Sequence, residues 1–313
     1  MYSLRQLKRV VDQPKLFFRE LNRLYHTRLG SRTYNPDGVD VVGADWDNLF
    51  VLDACRYDAF VARSDLSGRL ERRRSRAAHT TEFLKANIDG RDLHDTVYVT
   101  ASPMLYWNRN RGEVEATFYR EINIWRDDGW DEEFHTVRPG TVAEYATRAA
   151  EEHPDKRLLV HFVQPHFPAI GPTGREHPEL NSLRVWDAID SGDLDLPVAV
   201  LRRAFVENLD AVLPHVADLR ETLQGKTVIT ADHGQMFGER SFPLPFREHG
   251  HPPGIYTDEL LSVPWLVHTN GPRREIVAEE PETEPEHGDE TGTADRDVED
   301  VATDRLEDLG YVM

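Results

Sequence analysis

The sequence predicts an α/β protein, a doubly wound and mostly parallel sheet with helices on both faces. Three observations carry this. Short β-branched or aromatic runs recur between residues 40 and 272, namely NLFVLD, DTVYVTAS, RLLVHFVQ, KTVITAD and VPWLVHT, each bounded by polar residues or Pro as strands are. Stretches with helical apolar spacing separate them: TTEFLKANI, TVAEYATRAAEEH and LPVAVLRRAFVENLDAVLPHVADLRETLQG. Strands alternating with helices build a parallel sheet covered on both sides. Finally, the runs at Leu49–Leu52 and Thr227–Thr230 drive almost directly into carboxylates, Asp53 and Asp232. A short apolar run ending in charge reads as a buried strand whose carboxyl end emerges at a ligand-bearing edge.

Taken in order, residues 1–30 read as a basic amphipathic arm. Arg5, Lys8, Arg9, Lys15, Arg19, Arg23 and Arg28 alternate at helical spacing with Leu4, Leu7, Val10, Val11, Leu16, Phe17, Leu21 and Leu24, with Pro14 as a break. Such a stripe suits packing across the acidic body or lying on an anionic membrane surface. Residues 40–272 form the body, and Ala204, Leu209, Val212 and Leu213 of its longest helix are expected to face the sheet. Residues 273–298, rich in Pro, Glu and Asp, read as an acidic disordered linker. Residues 299–313 regain apolar spacing and suit a C-terminal helix docking back.

Composition sets outer limits. The formal net charge is −19, from 56 Asp+Glu against 37 Lys+Arg, of which five are Lys. Nucleic-acid binding needs a cationic footprint, so no nucleic-acid partner is expected. The acidic, Lys-poor balance resembles that of salt-loving archaeal proteins. The one cysteine, Cys55, excludes an intrachain disulfide and a cysteine zinc cage. The sequence lacks the ~18 consecutive apolar residues of a membrane helix and a signal-peptide centre. The expected location is cytoplasmic, with peripheral membrane association if residues 1–30 lie on a bilayer.

Chemistry concentrates at strand ends. In TVITADHG, Asp232 and His233 leave a strand together before Gly234. One anionic oxygen and one imidazole nitrogen suit a divalent metal, and Gly lets the backbone approach closely. Asp53 leaves its own strand in the same way and supplies a second hard oxygen. Thr80 and Thr81 precede the helical run Phe83–Asn87, and either could be its N-cap. A hydroxyl there has the positive helix end beside it. His161 lies inside a strand and reads as a satisfied core histidine. His166, just past that strand, and His249 and His251, about a Gly, lie in Pro/Gly-rich loops open to ligand or substrate contact.

Those stretches resemble the alkaline phosphatase superfamily, on its sulfatase-like branch. NLFVLDACRYD, TTEFL, VHFVQPHFP, VITADHGQMFGE, GHPPGIYTDELLSVPWL and the closing RLEDLGY occur in the family's order. The resemblance implies an alkaline phosphatase-like sandwich with its metal site at the strands' carboxyl ends. It implies that Asp53, Asp232 and His233 hold a divalent ion (Mn, Mg, Ca or Zn) and that Thr80 is the nucleophile, with Thr81 one register away. It places His251 on the substrate's anionic group or a second metal, and His166 holding or protonating that group. Arg56, His249 and Thr81 would bind substrate, Arg56 alternatively pairing with Asp58 to brace its loop. Cys55 sits in CRYDA, outside the Cys/Ser-x-Pro-x-Arg pattern of formylglycine sulfatases. HFVQPH offers no Asp for a second metal, so one essential metal is favoured.

The implied activity is that of a metal-dependent hydrolase or transferase acting on phosphate esters, and less readily on sulfate esters. Its partner would be an anionic ester, glycan- or lipid-linked. The rival from another class is a non-catalytic binding protein on a decayed fold. The intact Asp53, Asp232 and His233 set speaks against that rival, and a phosphomutase-like reading would need a fuller second metal site.

Overall fold

The computed structural model describes residues 14–126, 129–181, 185–282 and 294–310. Its strands are β1 (Asn48–Leu52), β2 (Arg69–Arg74), β3 (Arg91–Thr100), β4 (Ala116–Asn123), β5 (Trp130–Asp131) and β6 (Thr136–Val137). They continue with β7 (Arg157–Phe162), β8 (Gly225–Thr230), β9 (Met236–Arg240), β10 (Arg247–Gly250) and β11 (Ser262–Asn270). Seven of them form one sheet in the order β2-β11-β8-β1-β7-β3-β4, while β5 with β6 and β9 with β10 form small antiparallel pairs. From β8 to β4 every neighbour is parallel. Strand β11 runs antiparallel to both β8 and β2.

The helices are α1 (Pro14–His26), α2 (Tyr57–Arg63), α3 (Thr80–Asn87), α4 (Met104–Asn110) and α5 (Pro139–Glu152). They continue with α6 (Pro172–Glu176), α7 (Val185–Ser191), α8 (Val198–Thr222), α9 (Asp258–Leu261) and α10 (Ala294–Asp308). The crossovers β3–α4–β4 and β7–α8–β8 travel in opposite directions along the sheet. Right-handed crossovers therefore put their helices on opposite faces. This is the doubly wound sandwich expected from the sequence.

Burial explains which strands were legible. Central β1, β7 and β8 are apolar on both faces, with Leu49, Phe50, Leu158, Val160, Val228 and Ile229 at most 1% exposed. Each such side chain contributes roughly 1.5–3 kcal/mol by leaving water. The two edge strands, β2 (RLERRR) and β4 (ATFYREIN), escaped the sequence reading. Half of an edge strand faces solvent, and charged residues there block pairing with another sheet.

Three expectations need correction. Ala204 packs with Phe167, Phe205 and Phe237 in a satellite cluster, whereas Leu209, Val212 and Leu213 join the sheet core. The linker expected to be disordered over 273–298 is laid along the body as far as residue 282. Arg273 pairs with Asp45 and Asp47, and the backbone N–H groups of Val277, Glu279 and Glu282 donate to Asp155, His94 and Tyr119 carbonyls. Acidic composition suggested a free chain, but Lys156 receives Glu279 and Arg120 receives Glu282. Helix α10 starts at Ala294, ahead of the expected 299, and buries Ala302, Leu306 and Leu309 in the main core. Residues 1–13 of the arm, 283–293 of the linker and the closing 311–313 lie outside the described residues.

Candidate metal centre

Parallel pairing brings distant residues level. Val51 faces Thr230 across the β1–β8 pair, so Asp53 and Asp232, two residues further on, leave neighbouring strands side by side. Strand β7 flanks β1 on its other edge, with Leu52 opposite Phe162. The loop after β7 is then hooked to the same point, because His166 N–H donates to the Asp53 carbonyl at 3.1 Å.

The turn after β1 is welded to the end of β8. Ala54 takes a left-handed φ of 61°, which costs a residue with a Cβ about 1 kcal/mol. In that conformation its N–H donates to Asp232 Oδ1 at 3.0 Å, beside the His233 N–H at 2.8 Å. Gly234 permits the close approach expected of it, since a Cβ there would lie 2.0 Å from the Glu259 carbonyl oxygen.

Helix α3 aims a hydroxyl at this pair. Thr80 Oγ donates to Asp232 Oδ2 at 3.0 Å and lies 3.2 Å from His233 Nε2. The Thr81 hydroxyl lies elsewhere, 3.4 Å from Asn108 Nδ2. Neither threonine is the N-cap anticipated from sequence. The cap is His79, whose Nδ1 accepts from the Thr81 N–H at 3.1 Å. Glu82 closes the same turn by accepting from Ala78 N–H, and its other oxygen accepts from Gly254 N–H in the loop bearing His251. Burial pushes the Glu82 carboxyl up to about 7 despite those two bonds.

The tautomer of His233 turns a lone pair toward the two carboxylates. Its Nδ1–H donates to the Gly234 carbonyl at 2.8 Å, which leaves the lone pair on Nε2. That lone pair faces Asp232 Oδ2 at 3.2 Å and Asp53 Oδ1 at 3.5 Å, with all three side chains fully buried. A lone pair opposed by two carboxylate oxygens is repulsive unless a proton or a cation lies among them. Two hard oxygens with an imidazole nitrogen are donor types that suit a divalent metal.

His161 belongs to this group, against the sequence reading of it as a satisfied core histidine. Its Nδ1 shares a hydrogen bond with Tyr98 Oη at 2.9 Å, but its buried Nε2 has no hydrogen-bond partner. One ligand atom each from Asp53, His161 and Asp232 lies within 4.8 Å of the others. Strand register was the missing signal: His161 stands level with Val51, one pleat behind Asp53 on the same face.

His166 and His251 lie alongside. His166 Nδ1–H donates to the Phe167 carbonyl, so its Nε2 accepts from His251 Nε2–H at 2.8 Å. The His251 ring stands 4.7 Å from that of His233 and 5.1 Å from that of His79. Burial drives His161, His166 and His233 down to about 4 and His79 to about 3. His251 also falls well below its ordinary value, through burial and then its histidine neighbours. All are neutral near pH 7, the form that offers lone pairs. Burial raises Asp232 even though three hydrogen bonds favour its carboxylate. His79 and His251 keep partial exposure, which marks the way in.

Arg56 and His249 are turned elsewhere. The Arg56 guanidinium donates to Asp58, Glu239 and the Gln235 carbonyl, the bracing arrangement considered from sequence. His249 Nδ1 is 2.9 Å from Asp190 Oδ1. Arg56→Ala is expected to destabilise the fold by on the order of 2 kcal/mol, below the ~3–5 of a fully buried pair, because Asp58 reaches water and Arg202 still holds Glu239. Denaturant unfolding with turnover per folded molecule checks this. A large rise in KM at unchanged stability would instead make Arg56 a substrate ligand. Cys55 is buried and its thiol is pushed up by burial, so it is no nucleophile at neutral pH.

No protein-family model matches the sequence, and no curated protein matches it. Among solved structures, the chain is similar to the C-terminal periplasmic domain of EcEptC from Escherichia coli in complex with Zn. The identity is 12%, over 75% of this chain and 77% of that one, with a TM-score of 0.46. It is similar to the integral membrane protein lipooligosaccharide phosphoethanolamine transferase A from Neisseria meningitidis at 12% identity and a TM-score of 0.47. That match covers 71% of this chain and about half, 47%, of the other. A third is BT1596, a 2-O GAG sulfatase, at 12% identity and a TM-score of 0.43, over 72% of this chain and 64% of that one. The doubly wound, mostly parallel α/β fold expected from the sequence is the fold this chain has.

Proposed function

We propose that this chain is a metal-dependent hydrolase or transferase of phosphate esters that works through Thr80. One observation carries the reading: Thr80 Oγ, at the start of α3, sits 3.0 Å from Asp232 Oδ2 and 3.2 Å from the His233 lone pair. A hydroxyl buried among ligand atoms and the positive end of a helix is in a place that favours its alkoxide. Asp53, Asp232 and His233, with His161 beside them, would hold a divalent ion, which would supply charge neutralisation and lower the hydroxyl's pKa.

The chain's own residues do the rest. Thr80 Oγ attacks phosphorus, forming the phosphothreonine bond as the bond to the leaving oxygen breaks. The proton lost by Thr80 balances the one gained by the leaving oxygen, with the His166–His251 pair as the relay. In the second step water or an acceptor hydroxyl attacks phosphorus, frees Thr80 and returns its proton. The positive end of α3 favours the phosphoryl oxygens, the kind of fixed electrostatic stabilisation that dominates phosphoryl transfer, and a proton gained by the His166–His251 pair would add to it. Sulfate esters share this geometry with less charge to stabilise and rank second. The substrate is an anionic ester, glycan- or lipid-linked.

The test is a screen of nitrophenyl phosphate, phosphodiester and sulfate esters with Mn, Mg, Ca and Zn in high salt, with peptide mass spectrometry of the trapped enzyme. Turnover of a phosphate ester and a phosphate adduct on Thr80 are expected. Absence of both would move the chain to the non-catalytic class.

A further inference from the structure

We propose that helix α1, with the turn around Phe242, is a docking face for an anionic bilayer surface. The helix is mounted with its polarity reversed. Its polar side chains point into the protein: Arg19 pairs with Asp190 and Glu248, and Asn22 is fully buried against Ser241 and Leu244. Its apolar side chains point out, with Phe17 49%, Phe18 42%, Leu21 38% and Tyr25 55% exposed, beside Phe242 at 58%. A helix serving only a soluble fold buries the opposite face.

Leu21, four residues from both Phe17 and Tyr25 on the helix, links two ring pairs into one apolar face. Phe17 meets Phe18 with ring centroids 5.8 Å apart, and Tyr25 meets Phe242 at 5.6 Å. Scattered exposed apolar residues are ordinary, whereas a contiguous aromatic patch marks an interaction surface.

Charge selects the occupant. Exposed Arg28, Arg240 and Arg247 lie on α1's end and on the β9–β10 hairpin that seats it. The nearby carboxylates Glu20, Asp190 and Glu248 are each held by Arg23 or Arg19. A cationic, aromatic face on a chain of net charge −19 matches an anionic lipid surface. Two copies meeting through it would oppose their arginines. None of the described helices is long and apolar enough to cross a membrane, so the contact is peripheral.

The same hairpin leads to the metal centre. Strand β10 ends at Gly250, next to His251, and the turn with Phe242 lies at its far end. That separation is on the order of 15 Å along a strand of this length. Docking would therefore hold the cluster's entrance near lipid headgroups, whatever reaction the cluster performs.

Flotation of the full chain with vesicles tests this, using phosphatidylglycerol and, separately, phosphatidylcholine. Wild type is expected to float with phosphatidylglycerol and not with phosphatidylcholine. The combined variant Phe17→Ser, Tyr25→Ser, Phe242→Ser is expected to lose at least about tenfold in vesicle affinity at unchanged thermal stability and metal content. Arg28→Glu with Arg240→Glu is expected to weaken binding to phosphatidylglycerol while leaving the aromatic patch in place. No flotation of wild type, equal flotation with both lipids, or undiminished binding by the serine variant would each overturn the proposal. A concentration-dependent dimer abolished by the serine variant, without vesicle binding, would assign the face to a second copy.

Discussion

Asp232→Asn is expected to leave a folded protein that no longer retains a divalent ion. The amide keeps an oxygen for the Ala54 and His233 N–H groups, which are the bonds that hold the two strand ends together. It removes one of the two negative charges that the His233 lone pair faces. Losing a residue that merely orients a ligand costs ~10–100-fold in metal affinity, so losing a charged ligand should cost at least about 100-fold. Stability gives a second readout. Metal at 100 times its dissociation constant would stabilise wild type by about 2.7 kcal/mol, a shift of several degrees in Tm for a chain this long. The variant should show no such shift, and without metal it should melt no earlier than wild type, since carboxylate repulsion is relieved. Elemental analysis after gel filtration with paired melting curves checks both. Stoichiometric metal in the variant would remove Asp232 from the site.

Thr80→Ala is the second large effect. Removing the attacking hydroxyl should lower turnover at least about 10³-fold, the scale seen when a covalent nucleophile is deleted. The phosphate adduct should vanish while metal binding persists through Asp53, Asp232 and His233. Thr81→Val is the matched control, because its hydroxyl makes only a long 3.4 Å contact to Asn108; activity within about tenfold of wild type is expected. Thr80→Ser should recover part of the rate. If Thr81→Val were the inactive variant, the helix would present the other hydroxyl and the reading of the centre would fail.

Asp53, Asp232, His233 and Thr80 stood out as candidates because each carries a local mark: a carboxylate after a buried apolar run, an imidazole directly behind one, or a hydroxyl before a helix. His79 and His161 carried none. An imidazole cap looks like any loop histidine until its Nδ1 is seen to accept from Thr81 N–H. His161 looks like core until register sets it beside Asp53. Glu82 was invisible for the same reason: its two partners, Ala78 and Gly254, are far apart in sequence.

The sequence by itself determined the alternation of strands and helices, the apolar central strands and the chemical types available at their ends, because those follow from neighbour-to-neighbour periodicity. Tertiary structure alone decided which ends met, which threonine turned inward, and that the arm carries its aromatic side outward. Those outcomes depend on pairing and packing between segments up to 229 residues apart, as Arg19 and Glu248 are, and no local pattern encodes such contacts.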